Sequence, residues 1–259
     1  MNFALPLHTG LVIASPFIGS FLGVLAWRLP EGRSPFFTRS RCPNCDCVLG
    51  ARDLIPLVSY AIQRGKCRYC HSAIDAFHPA MEVAALIVAG AADWAVHMAP
   101  DRLDLTHLMI QGCLFGWWLL LLAAIDLRST TLPDYLTLPL LGIGLAFAAQ
   151  HGRADFHLHS LAALLGWAAF GGVALLYRKL RARDGLGGGD AKLLAAGGGW
   201  LGPFILPEIV FVGAVVTLAG AWLTRKASLS AQTRIPFGPG LAFALWGGWL
   251  LEIIGQSYG

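Results

Sequence analysis

The chain has 259 residues, 56% of them hydrophobic and only 13% charged, with a formal net charge of +4 and a mean hydropathy of +0.61. Soluble domains carry about 25% charged residues, so the deficit excludes an ordinary soluble domain and, with 9 Trp and 14 Phe, points to lipid as the main solvent. A bilayer core about 30 Å thick needs roughly 20 apolar residues per helix, and several such runs are present, which predicts an all-α polytopic membrane protein.

In chain order, the apolar runs predict eight transmembrane spans at about 10–29, 80–99, 107–126, 132–150, 158–177, 190–204, 205–224 and 236–256. The first reads as a retained helix: no basic stretch precedes it, and it runs straight into Arg28 and a polar region. The sixth is short and rich in glycine, which predicts a tilted, broken or partly re-entrant segment. Between spans one and two, residues 30–79 are polar, basic and cysteine-bearing, a module too small to hold itself by an apolar core alone. The chain therefore divides into a first helix (1–29), this module (30–79) and a seven-helix membrane domain (80–259). Short polar loops are expected at 128–131 and 178–189, and a longer one at 225–236 ends in Ile-Pro-Phe-Gly-Pro-Gly, a stiff lead into the last span. No internal repeat is evident. With the amino terminus outside, 17 of the 19 Lys and Arg fall on the cytoplasmic side, and only Arg102 and Arg153 lie opposite. The positive-inside rule thus puts the module in the cytoplasm.

Cys42-Pro-Asn-Cys45 and Cys67-Arg-Tyr-Cys70 form two CxxC pairs, 21 residues apart. Two such knuckles supply four thiolates for a tetrahedral zinc. A pair of disulfides is disfavoured in a reducing cytoplasm, and an iron–sulfur or redox role is the alternative. Cys47 is a spare thiol beside the first knuckle, and Cys113 in span three reads as a packing residue. The module's expected role is structural, ordering the loop and presenting a surface to a partner.

Acidic residues near apolar spans need a reason. Asp93, Glu208 and Glu252 lie toward outer ends, where water solvates them. Glu82, Asp126, Asp134 and Asp190 all fall near the cytoplasmic boundary, though far apart in sequence. Carboxylates brought together there share a proton, one acting as base toward water and the other as acid toward a carbonyl. Asp134 follows Pro133 at a helix start, where a carboxylate suits the helix dipole. Glu82 serves either as a cap or as an anchor for a substrate amine. Asp190 follows Gly185-Leu-Gly-Gly-Gly189, which admits close backbone approach, although it too is able to cap. Asp126 sits at a helix carboxyl end, where a negative charge opposes the dipole. Lys192 either tunes Asp190 or reaches to the lipid surface. The eight histidines show no metal spacing. The residues alone leave the pair open, with Asp126 and Asp190 the leading candidates.

The run Gly-Leu-Gly-Gly-Gly-Asp-Ala-Lys-Leu-Leu-Ala-Ala at 185–196 resembles the GxGD motif of the type IV prepilin peptidases. Gly19-Ser-Phe-Leu and Arg28-Leu-Pro30 resemble that family's first helix end. The paired knuckles with Asp53-Leu-Ile-Pro56 resemble its cytoplasmic domain. Ala124-Ile-Asp126 followed by Leu132-Pro-Asp-Tyr-Leu-Thr-Leu-Pro139 resembles its first catalytic segment, and Ile235-Pro-Phe-Gly-Pro239 its last helix. Order and spacing together cover nearly the whole chain.

The resemblance implies an eight-helix aspartyl protease of the bacterial inner membrane, amino terminus in the periplasm, with module and active site facing the cytoplasm. Its substrates are type IV prepilins or type II secretion pseudopilins, cut after a glycine that ends a short basic leader. S-adenosylmethionine-dependent methylation of the new amino terminus follows in many members. The catalytic aspartates carry over to Asp126 and Asp190, and the zinc ligands to Cys42, Cys45, Cys67 and Cys70. No residues binding S-adenosylmethionine are indicated, and no nucleic-acid partner is expected. The chain departs from the family pattern at Gly23, at His78-Pro-Ala-Met-Glu82, and at Gly198 and Gly199, which are expected to loosen the span after Asp190. These departures bear on substrate fit and methylation more than on cleavage.

Overall fold

The computed structural model describes residues 4–35, 39–99, 105–181, 187–223 and 235–255. These form nine α-helices: α1 Ala4–Arg28, α2 Val58–Ile62, α3 Phe77–His97, α4 Leu105–Ser129, α5 Asp134–His151, α6 Arg153–Arg181, α7 Gly188–Leu201, α8 Leu206–Leu223 and α9 Gly238–Gly255. Apart from the single-turn α2, they overlap the eight predicted spans. Most of the loop at 225–236, and residues 182–186 of the glycine-bearing loop, lie outside the described residues.

Six of the helices (α1, α3, α4, α6, α8 and α9) are long and apolar enough to cross a membrane. They carry large apolar side chains outward, such as Phe211, Leu218 and Trp222 of α8, as lipid solvation allows. Two of the eight expected spans differ. Helix α5 has polar residues at both ends. Helix α7 has only 14 residues, about 21 Å at 1.5 Å per residue, well short of a bilayer core. It stops at Gly202, whose φ of 73° is a left-handed conformation that glycine adopts freely.

The chain divides into two compact units, one running to Leu121 and including Ile253 onward, the other spanning Leu122–Glu252. In the first, α1 lies against α3 because Gly19 has no side chain: a Cβ there would stand 2.5 Å from the Met81 carbonyl oxygen and 2.8 Å from Ala85 Cβ. Small residues at such contacts drive helix association where no hydrophobic effect operates. From α4, Trp117 Nε1 donates to the Ala85 carbonyl at 3.0 Å.

In the second unit α7 is the buried centre. From Asp190 to Leu201 every residue except Lys192 and Trp200 is buried. Gly198 and Gly199 do not loosen this segment. A Cβ on Gly198 would meet the Ala162 carbonyl carbon of α6 at 2.6 Å, and one on Gly199 would meet Leu141 of α5 at 2.8 Å. These glycines let two neighbouring helices close onto α7. Polar ties add to the packing: His159 Nδ1 lies 3.0 Å from the Gly199 carbonyl oxygen, and Trp200 Nε1 donates to Leu140 at 2.8 Å.

Residues 39–76 contain a repeat that the side chains conceal. In the first knuckle the Cys42 amide donates to the Cys47 carbonyl, Asp46 to Cys42 and Leu49 to Ser40. In the second, 25 residues on, Cys67 donates to Ser72, His71 to Cys67 and Ile74 to Gly65. The bridges Arg41–Val48 and Lys66–Ala73 correspond. So do the left-handed residues Asp46 and His71, at φ 54° and 58°, both of types that tolerate this conformation. Between the knuckles, Asp53 ties the module together, accepting from the Gly50 amide, Gln63 Nε2 and Arg68 Nε at 3.1, 3.2 and 3.1 Å.

Candidate active site and metal centre

Among the described residues three acidic residues are buried as a whole, Glu82, Asp126 and Asp190, with 7%, 5% and 8% of their surface exposed; the Asp53 side chain is covered too, at 4%, but is paired with Arg68. Asp126 and Asp190 belong to the second unit and Glu82 to the first. Asp134, in the same unit as Asp126 and Asp190, is 59% exposed and forms an ion pair with Lys192. Lys192 accordingly serves Asp134, at the first turn of α5, rather than Asp190.

Asp126 sits in the last turn of α4, the unfavourable end of its own helix dipole. The compensation comes from elsewhere. Its Oδ2 accepts the amide of Gly238, the first residue of α9, at 2.9 Å, so the carboxylate meets the positive end of a second helix. Only glycine fits this position, because a Cβ at 238 would stand 2.7 Å from that oxygen. Asp190 is the third residue of α7, and Gly187, which precedes the helix, lies close to its carboxylate: a Cβ at 187 would stand 3.2 Å from Asp190 Oδ2. Each acid thus lies against a glycine at a helix amino terminus, Asp126 against Gly238 and Asp190 against Gly187. Both buried carboxylates belong to the same unit, on two different helices. Sequence reading missed Gly238, although the Gly-Pro-Gly run at 238–240 opening an apolar stretch was a signal of close approach.

The four cysteines Cys42, Cys45, Cys67 and Cys70 converge in the first unit, their sulfurs within 4.8 Å of one another and all thiols free. Cys42 and Cys70 are 3.8 Å apart, close to the ~3.8 Å edge of a tetrahedron with 2.3 Å zinc–sulfur bonds and far beyond a disulfide. Whereas burial and the neighbouring thiols push Cys45 up to about 12, the Cys45 and Asn44 amides hold the Cys42 thiol down to about 6, and the Ser72 hydroxyl and amide lower Cys70. Such donors favour thiolates, the form that binds metal. The donor set fits one soft-ligand cation. Cys47 lies outside the cluster, using its carbonyl to accept the Cys42 amide.

One grouping was not foreseen. Asp93, expected to be a solvated end charge, lies 3.0 Å from His8 Nδ1, and its backbone carbonyl lies 2.7 Å from His97 Nδ1. The separation of 85 residues between His8 and Asp93 hid this from any spacing rule.

Two family models match the chain: the bacterial peptidase A24 N-terminal domain over residues 13–96 and the type IV leader peptidase family over residues 113–222. The chain belongs to the type IV leader peptidase family. Similar proteins include prepilin leader peptidase/N-methyltransferases of Aeromonas hydrophila, 34% identical over 94% of this chain and 89% of the relative; Stutzerimonas stutzeri, 32% identical over 88% and 85%; and Burkholderia pseudomallei strain 1026b, 36% identical over 93% and 83%. No solved structure matches the chain. The two matched regions correspond to the cysteine module with its flanking helices and to the segment holding both aspartates. Apolar helices and family membership together make this leader peptidase a multi-pass inner-membrane protein.

Proposed function

We propose that this leader peptidase is an aspartyl endopeptidase that removes the leader of type IV prepilins or type II secretion pseudopilins after a glycine, and that it then methylates the new amino terminus with S-adenosylmethionine. The observation that carries the peptidase reading is the presence in one unit of two buried carboxylates from different helices, Asp126 and Asp190, with no other buried acidic residue among the described residues of that unit. The names of its relatives carry the methyltransferase reading.

In this mechanism one carboxylate takes a proton from water as the water oxygen bonds to the substrate carbonyl carbon. The other, protonated, donates to the carbonyl oxygen. Collapse of the tetrahedral adduct breaks the carbon–nitrogen bond, and the departing amine takes up a proton from the dyad. The amide of Gly238 holds Asp126 in place. The substrate's apolar helix stays in the bilayer and its basic leader in the cytoplasm, on the side of the dyad and the cysteine module. Zinc bound by Cys42, Cys45, Cys67 and Cys70 has a structural role. Residues 30–79 hold seven Lys and Arg against four acids, and four thiolates with one zinc subtract two further charges. The module is then near neutral and no electrostatic trap for a basic leader.

The test is cleavage of a purified prepilin by the full chain in detergent. Asp126→Asn and Asp190→Asn should each lower turnover by about 10³-fold or more, with melting temperature and bound zinc unchanged. Wild-type turnover in either variant removes that residue from the dyad.

A further inference from the structure

The first unit holds a cavity of about 520 Å³, within the usual range for a small-molecule site. Its walls come from α1 (Trp27, Arg28), from the cysteine module (Asp53, Tyr60) and from the start of α3 (His78, Glu82). None of its lining residues belongs to the unit that carries Asp126 and Asp190.

Glu82 is the unexplained group in this wall. Its Oε2 accepts the Leu57 amide at 2.7 Å, and among the described residues it has no ion-pair partner. A buried carboxylate with one neutral donor is costly and is relieved by a cation. Other acids in the lining are already engaged: Asp53 by Gly50, Gln63 and Arg68, and Asp75 by the Phe77 amide. The Leu57 backbone that Glu82 holds is strained. Its φ is 60°, and the Val58 amide closes a γ-turn onto the Pro56 carbonyl at 2.6 Å, a conformation rare for leucine and concentrated at functional sites. Trp27 and His78 also line the cavity, His78 one turn before Glu82 on α3, and their rings are near-parallel, 13° between planes and 6.4 Å between centroids. Aromatic faces attract both flat heterocycles and organic cations.

Given the methyltransferase activity proposed above, we infer that this cavity binds the methyl donor, a sulfonium nucleoside. Glu82 supplies the counter-charge for the sulfonium, and Trp27 and His78 supply the faces that take a cation or a flat base. A site built on a buried carboxylate distinguishes the donor from its spent form, S-adenosylhomocysteine, which lacks the methyl group and the positive charge.

That difference supplies the test. The full chain in lipid nanodiscs is titrated calorimetrically with S-adenosylmethionine and, separately, with S-adenosylhomocysteine. Glu82→Gln keeps an oxygen for the Leu57 amide and removes only the charge. It should weaken the sulfonium by about thirtyfold or more and the uncharged product by less than about threefold. Trp27→Leu leaves Glu82 in place and should weaken both ligands, with melting temperature and metal content reporting the fold of each variant. Unchanged donor affinity in both variants, or equal losses of both ligands in Glu82→Gln, overturns the assignment. If the wild type binds neither ligand yet still cleaves prepilin in the same preparation, the cavity assignment and the methyltransferase reading fall together and the peptidase reading stands. If it binds the donor with Glu82→Gln unaffected, the cavity assignment alone falls.

Discussion

The two units immobilise their functional groups by opposite means. The cysteine module has almost no apolar core. Its order rests on two backbone-bonded knuckles, the Asp53 hub and four thiols that a metal would clamp. The unit around α7 has no metal cluster among its described residues, and it sets Asp126 and Asp190 by bringing helix backbones close together through glycine. One design would be completed by a metal on the four thiols and would be reversible. The other is fixed by the covalent sequence. Removing the metal should undo the first and spare the second, whereas adding a methyl group should do the reverse.

The largest effect expected is from metal removal. Four thiolates held within 4.8 Å repel one another strongly without a cation, and small metal-clipped modules are commonly unfolded when stripped. Chelation, or Cys67→Ser, should abolish hydrogen-exchange protection of the knuckle amides at Cys42, Asp46, Cys67 and His71, while amides of α6 and α7 keep theirs. Loss of protection across both units at once would show that the module also holds the membrane helices.

The reverse experiment adds single methyl groups. Gly238→Ala drives a Cβ against the Asp126 carboxylate and should cut cleavage by about 10²-fold, the scale of an ångström of misplacement at a catalytic group. Gly198→Ala meets the backbone of α6, which cannot move aside as a side chain would, so it should cost about 1–3 kcal/mol of stability. Gly171→Ala is the control: nothing lies within 4 Å of its Cβ, and it should be neutral or slightly stabilising in a helix interior. Equal effects at all three positions would mean that close approach is not what sets the site.

These substitutions also mark where the sequence stopped being legible. Apolar runs of bilayer length disclosed the helices because lipid imposes length and composition directly. The CxxC pairs disclosed the four-cysteine cluster because the spacing within each pair is local. Asp126 stood out because a carboxylate at its own helix's carboxyl end has an evident cost, but the compensating amide of Gly238 is 112 residues away, and no local pattern reports it. Gly198 and Gly199 were read as loosening α7 because glycine weakens an isolated helix. In the fold the missing side chains admit α5 and α6, and packing outweighs propensity. The 25-residue repeat of the knuckles escaped notice because it resides in backbone hydrogen bonds, while most of its side chains differ. His8, Asp93 and His97 came from two segments with no shared motif.

The smallest effect concerns Lys192, two residues from Asp190 on α7. If proximity in sequence decided its role, removing the cation would shift the pH profile of cleavage, since a positive charge beside a shared-proton pair favours its ionised form. The structure assigns that charge to Asp134, and both side chains of the pair are substantially exposed, at 33% and 59%. An exposed pair contributes about 0–1 kcal/mol. Lys192→Gln should therefore change stability by no more than that and leave the pH profile of cleavage in place, and Asp134→Asn should behave in the same way. A displaced profile in Lys192→Gln but not in Asp134→Asn would show that the lysine reaches the dyad during turnover. The unit around α7 would then rely on a mobile charge as well as on fixed backbone contacts, and its contrast with the metal-held module would narrow.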